Sequence, residues 1–338
     1  MGRHIAARIN GSKGSGRVVD GLSLLSVVES GEEAVLARMA GELDLALATR
    51  REHGTPGGTI PRIIARGDGW TVADVLCTAG PNDRRFEEQH VRYTLAIVLS
   101  GSFQYRCSDG GGLMTPGSLM LGNQGTCFEC GHEHGEGDRC LSIWYAPEHF
   151  EQIAADAGAR GRNPGFKSVR LPPLRSLSPL VARAAAGAVD STKVPWGELT
   201  LVLAVRAMQL ASGASSRICN LPLNAEARVT RTIRGIERHL DAGLTLDALA
   251  RRARLSPYHF LRTFERLTGS TPHQYVLRAR LREAARRLTS EPGKVVDIAL
   301  DCGFRDVSNF NRAFRAEFGA SPRSFRLRGA ADRDHAPS

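Results

Sequence analysis

The stretch CFECGHEHGEGDRC, residues 127–140, holds three of the chain's seven cysteines and two of its ten histidines. Alternate residues of an extended strand share a face. Cys130, His132 and His134 therefore point one way, and the turn-forming GEGD brings Cys140 back alongside them. Two thiolates and two imidazoles suit tetrahedral Zn²⁺ or another transition metal of similar softness. Cys127 falls on the opposite strand face unless a bulge intervenes. Two other readings stay open. One is a hairpin that holds no ligand, since the spacing matches no established finger or knuckle pattern. The other is a thiol that senses oxidants or electrophiles, with Arg139 beside Cys140 as the cation favouring a thiolate. No complete metal triad and no nucleophile–base set accompanies the cluster, so no residue is assigned a catalytic role.

Those side chains need a scaffold, and 338 residues suffice for two or three domains. The hydrophobic fraction of 42% and charged fraction of 24% are those of an ordinary globular protein. No apolar run reaches the roughly 18–20 residues of a membrane span. The first residues lack the charged, apolar and small-residue series of a signal peptide. The expectation is a cytoplasmic protein, with no membrane partner, whose cysteines remain free thiols. The formal net charge of +10 is uneven: residues 224–338 carry 22 Lys+Arg against 13 Asp+Glu, and 21 of those 22 are arginine. Arginine forks match phosphate oxygens and guanine edges, which points to a polyanion partner for the last third.

Residues 1–33 are rich in Gly, Ser and scattered charge and are expected to be disordered. A helical apolar rhythm follows over 34–51. From 70 to 145, short runs such as YTLAIVLSGSFQYRC are split by Gly, Pro and Asp clusters, the pattern of antiparallel strands and hairpins. Helical periodicity returns at 149, with paired helices near 179–189 and 196–213. The aperiodic 214–226 reads as a linker, and nearly everything beyond it as helix.

That last segment repeats itself. SPYHFLRTFERLTGSTPHQY (256–275) aligns with DVSNFNRAFRAEFGASPRSF (306–325) at an offset of 50. Phe260 matches Phe310, Arg262 matches Arg312, Phe264 matches Phe314, Gly269 matches Gly319 and Pro272 matches Pro322. Such a repeat is one supersecondary unit used twice. Each unit reads as helix–turn–helix. Thr245 caps a short helix over 246–252, and Ser256 caps the next, with Pro257 in its first turn. Asp306 caps the corresponding helix of the second unit, which runs to Phe318. Phe260, Phe264 and Leu267, and likewise Phe310, Phe314 and Phe318, fall on the core faces. Tyr258, Leu261 and Arg262, and then Val307, Ser308, Asn311 and Arg312, are left outside. One amphipathic helix with the stripe Leu277, Leu281, Ala284 and Leu288 joins the units.

The double unit, its basic charge and the ending GASPRSFR resemble the AraC family of bacterial transcription regulators over about 100 residues, 228–328. The resemblance implies that the second helix of each unit enters the major groove of a double-stranded operator, the two segments lying one helical turn, about 34 Å, apart. Tyr258, Leu261, Arg262, Val307, Ser308, Asn311 and Arg312 match the base-facing positions. Leu261 and Val307 stand where polar residues are common, which suits contact with thymine methyls. Arg262 and Arg312 would read bases, or else only grip phosphates.

In that family the variable domain binds an effector, dimerises, or does both. Here 70–145 resembles a cupin-like β-barrel, with GLMTPGSLML as its Pro-Gly turn. A cupin metal site takes its His-x-His before that turn, whereas His132 and His134 come after it. The implied fold class is α+β. A cupin-like barrel over 34–148 and a helical pair over 149–213, serving dimer contact or intradomain core, precede the linker. An all-α domain of two helix–turn–helix units joined by a long helix follows over 227–328, with a tail at 329–338. The implied function is effector-sensing transcription regulation, with RNA polymerase as partner if the protein activates. A cupin-type metalloenzyme with an appended DNA-binding domain is the competing reading.

Overall fold

In TLAIVL, at the heart of the barrel sequence, both strand faces are apolar, so both must be covered. A computed structural model shows how, and describes residues 33–158, 165–212 and 223–327. Residues 1–32 of the leader, 213–222 of the linker region and the whole tail lie outside the described residues. Helix α1 (Glu33–His53) precedes nine strands: β1 (Thr59–Gly67), β2 (Trp70–Cys77), β3 (Phe86–Gln89), β4 (Tyr93–Gly101), β5 (Phe103–Cys107), β6 (Gly110–Met114), β7 (Leu119–Gly122), β8 (Cys127–Gly131) and β9 (Asp138–Tyr145). After α2 (Pro147–Asp156) a two-residue β10 (Arg170–Leu171) adds to the barrel, and α3 (Ser178–Val189) and α4 (Trp196–Ala211) close this half.

Two antiparallel sheets result, ordered β1-β2-β9-β4-β7-β10 and β3-β8-β5-β6. One face of the larger sheet packs Leu95, Ile97, Leu141 and Ile143 against Phe150, Val181, Leu199 and Leu203 of the helices. The other face puts Ala96, Val98, Met120 and Cys140 against Phe103 and Tyr105 of the smaller sheet. The apolar stripes of α3 and α4 are thus spent on intradomain core, one of the two roles the sequence left open. The strands begin earlier than residue 70, because β1 pairs along nearly the whole of β2 despite its turn-like approach.

The basic third holds α5 (Leu223–Arg238), α6 (Leu246–Ala253), α7 (Pro257–Thr268), α8 (Pro272–Ser290), α9 (Val295–Asp301) and α10 (Val307–Phe318). Helix α5 starts inside the expected linker, since 223–226 already form its first turn. The caps act locally. Thr245 accepts from the Ala248 amide, Ser256 from His259, and Asp306 from Ser308 and Asn309. Gly269 and Gly319 end α7 and α10 at φ of 77° and 72°, a left-handed conformation that disfavours a Cβ. Two cores form, one on Phe260, Phe264 and Tyr275, the other on Phe310, Phe314 and Phe318. The fold is α+β, a cupin-like β-rich half followed by a helical one.

The halves touch. Arg278 of α8 donates to the Pro173 carbonyl at 3.0 Å, and Arg170 donates to Thr268 O at the end of α7, also at 3.0 Å. Ser178, at the start of α3, hydrogen-bonds Glu317 near the end of α10.

Candidate functional site

The outward faces of α7 and α10 are where the sequence placed them. Tyr258, Arg262, Ser308, Asn311 and Arg312 are exposed, and Leu261 and Val307 are half-buried. Tyr258 is 67% exposed, an unusual position for so large a ring. Arg262 lies over that ring at 5.8 Å and donates to its hydroxyl at 3.1 Å. Arg312 donates to Asn309 Oδ1 at 3.1 Å. Both guanidiniums are therefore steered by neighbours on their own helix and still reach solvent. The ends of α7 and α10 that touch the barrel half are the opposite ones, so docking leaves these faces clear.

The barrel holds a cavity of about 710 Å³ that opens to solvent. At its lining, Cys77 of β2 stands directly opposite Asp138 of β9, and Val75 opposite Cys140. His132, just past β8, meets the same point. Its Nε2 lies 2.6 Å from Asp138 Oδ1, and ligand atoms of Cys77, His132 and Asp138 all fall within 4.8 Å of one another. Cys140 donates its thiol to Asp138 Oδ2 at 3.1 Å. His132 Nδ1 is buried and has no hydrogen-bond partner among the described residues.

This alters the sequence-derived set of Cys130, His132, His134 and Cys140. Cys130, His132 and Cys140 do line one cavity. His134 does not join them, because β8 ends at Gly131 and the chain turns before strand alternation can carry residue 134 inward. Cys127 is exposed on the outer side, as alternation requires. Arg139 is no neighbour for a Cys140 thiolate. It points through the opposite face of the sheet, gripping Asp74 with Nε and Nη2 at 2.9 and 2.7 Å. Burial, reinforced by Asp138, pushes the Cys140 thiol well above its ordinary range. An activated thiolate is the wrong description of that residue.

Two family descriptions match the chain: an AraC-like ligand binding domain over residues 75–194 and a helix-turn-helix domain over 249–328. The HTH-type transcriptional activator RhaS of Salmonella agona is 30% identical over 208 residues, covering 58% of this chain and 71% of that protein. RhaS of Escherichia fergusonii is 38% identical over 103 residues, 30% of this chain and 37% of the relative, so the match spans little more than a third of that protein's length. Among solved structures, the DNA-binding domain of AdpA in complex with a target DNA is 31% identical, covering 32% of this chain and 97% of that one, with a TM-score of 0.31. ToxT from Vibrio cholerae is 12% identical across 78% of this chain and 98% of that one, with a TM-score of 0.32.

This chain belongs to the AraC family. It is a transcription regulator of the AraC type, with a helix-turn-helix DNA-binding domain behind a ligand-binding N-terminal domain. In this AraC-family chain the two halves also meet at the hairpin that carries His132 and Asp138. Arg234 of α5 donates to Glu136 O at 2.9 Å, to Ser102 O at 3.2 Å and to Gly137 O at 3.3 Å. A Cβ at Gly135 would overlap the Arg234 guanidinium, so the glycine leaves the arginine its place against the hairpin. Sequence reasoning missed Arg234, Cys77 and Asp138. Cys77 is brought to Asp138 only by strand pairing, and one arginine among 21 carries no mark of its contact. Among the described residues no helix is long and apolar enough to cross a membrane.

Proposed function

We propose that Tyr258, Leu261, Arg262, Val307, Ser308, Asn311 and Arg312 read operator bases, α7 and α10 entering successive major-groove segments of one DNA face. The observation that carries this is the repeated outward face: each unit buries its phenylalanines and leaves the same positions open beside an exposed arginine. Arg228, Arg231, Arg252 and Arg254 gather near the α5–α6 contact and are suited to flanking phosphates. The domain limits that go with this reading are 34–148 for the sensor barrel, 149–213 for the helical subdomain and 227–328 for the DNA-binding domain. The barrel cavity takes the effector. We read it as sensing and not turnover, because its hairpin is fastened to α5 through Arg234. A second copy of the chain and RNA polymerase complete the expected partners, and the cytoplasm is the expected compartment.

Footprinting of the full chain on genomic DNA tests the reading. Two protected segments centred about one helical turn apart on one DNA face are expected. A single protected segment, or protection without sequence preference, would overturn it.

A further inference from the structure

We infer that Cys77, His132 and Asp138, with Cys140 as fourth donor, form a binding site for a thiophilic divalent cation of the Zn²⁺ kind in the barrel cavity. The donors are of the right chemistry: two sulfurs, one imidazole nitrogen and one carboxylate oxygen. They come from three different strands or strand ends, so the fold and not a flexible loop holds them together. Their spacing is near what an ion imposes. A tetrahedral site with Zn–S of about 2.3 Å and Zn–N of about 2.0 Å separates its donors by roughly 3.3–3.8 Å. Here the Cys77, His132 and Asp138 atoms lie within 4.8 Å, with the His132–Asp138 pair closed to 2.6 Å. That short pair is a hydrogen bond across the place the cation would take. Loading replaces it, with loss of the Cys77 and Cys140 thiol protons, and parts the imidazole and carboxylate by about 0.7 Å.

The His132 side chain is 1% exposed, so an ion held at its Nε2 is shielded from water. The cavity supplies the room, since all four residues line it. Gly137, between His132 and Asp138, sits at φ of 64°, a left-handed conformation suited to the turn that precedes Asp138.

The site also has an output, and this part rests on reading the chain as a DNA-binding regulator. His132 and Asp138 bound the reversal whose Glu136 and Gly137 carbonyls are held by Arg234. An ion that separates His132 from Asp138 moves those carbonyls, and α5 with them.

The full chain, reduced and freed of metal by a chelator, is titrated with Co²⁺ and then with Zn²⁺. One Co²⁺ per chain with an intense thiolate-to-cobalt absorption, bleached by Zn²⁺, is expected. Cys77→Ser, His132→Ala and Cys140→Ser should each weaken Zn²⁺ affinity by about a hundredfold or more, while His134→Ala leaves it unchanged. Absence of the thiolate–cobalt band in the wild-type chain overturns the site whatever the variants do. So does a loss of affinity in His134→Ala with Cys77→Ser unaffected. Gel shifts of the metal-free and the Zn²⁺-loaded chain, run in parallel, separate the two readings: no operator binding in either state undoes the regulator and not the metal site.

Discussion

At the scale of single residues, the barrel stakes stability on two buried ionisable groups. His90 is 5% exposed, stacks on Phe128 at 4.1 Å and bonds the Tyr105 hydroxyl at 2.9 Å. Burial pulls its pKa down to about 4. Above the ordinary value of about 6.5 it is neutral in both states and contributes no pH dependence. Between there and about 4 the unfolded chain binds a proton that the folded chain refuses, so stability falls by about 1.4 kcal/mol per pH unit. Denaturant unfolding from pH 7 to 5 should show that slope, and His90→Gln should flatten it. An unchanged slope in the variant would place the effect elsewhere. Asp74 behaves in the opposite sense. Its burial would raise the carboxyl, but the hydrogen bonds and charge of Arg139, then Arg62, carry it below its ordinary value. The stability it supplies is present above the unfolded value of about 3.9 and is lost only below it, outside the window in which the His90 effect is read. Arg139→Ala strands a carboxylate that is 2% exposed, beside Arg62 alone. The expected loss is about 3 kcal/mol, and Arg139→Met with Asp74→Leu should recover most of it.

At the scale of elements, α7 and α10 are legible in the amino-acid order because everything that sets them is local. Ser256 and Asp306 cap them, Gly269 and Gly319 stop them, and their phenylalanines recur at helical spacing. The strands are legible as strands, but their partners are not. Nothing near Cys77 announces that it pairs with Asp138, and nothing in alternation alone says that β8 stops before His134. The same helices separate reading from folding. Phe314 is fully buried, and Phe314→Ala should cost about 3–5 kcal/mol of stability while any surviving fold keeps its base preference. Arg312 is exposed and bonded along its own helix, so Arg312→Ala should leave the melting transition in place. It should weaken operator binding by about 1–3 kcal/mol and relax one base position. Binding selections on randomised operators check this. A uniform loss across all sequences, with a shallower salt dependence, would make Arg312 a phosphate contact instead.

At the scale of the whole molecule, the two halves meet at several places, Leu113 of β6 even entering the core of the first helix–turn–helix unit, and the polar joints differ in kind. Near α8 and α10, Arg278, Arg170 and Glu317 bind loops and helix ends that carry no ligand-like chemistry. Near α5, Arg234 grips the carbonyls of the hairpin that lines the cavity. In the proposed reading, the first joint fixes where the domain sits, and the second lets the cavity report to it. Burial lowers the Arg234 pKa, yet the group remains a cation at neutral pH, so its attraction for three backbone carbonyls is charge-assisted. Coupling between cavity and operator is then a free-energy difference carried by those bonds. Arg234→Ala should leave effector or Zn²⁺ uptake unchanged, because it lines neither the cavity nor the cluster. Operator binding should persist too, since the base-reading faces are untouched. What should vanish is the dependence of one on the other, the ratio of operator affinities with and without ligand falling toward one. Gly135→Ala should do the same from the other side of the contact, by pushing the guanidinium off the hairpin. Paired gel shifts at fixed salt, with ligand absent and saturating, measure the ratio. If both variants keep the wild-type ratio, the signal crosses at another contact between the halves, such as Leu113 or the α8–α10 joint, and Arg234 is only a brace.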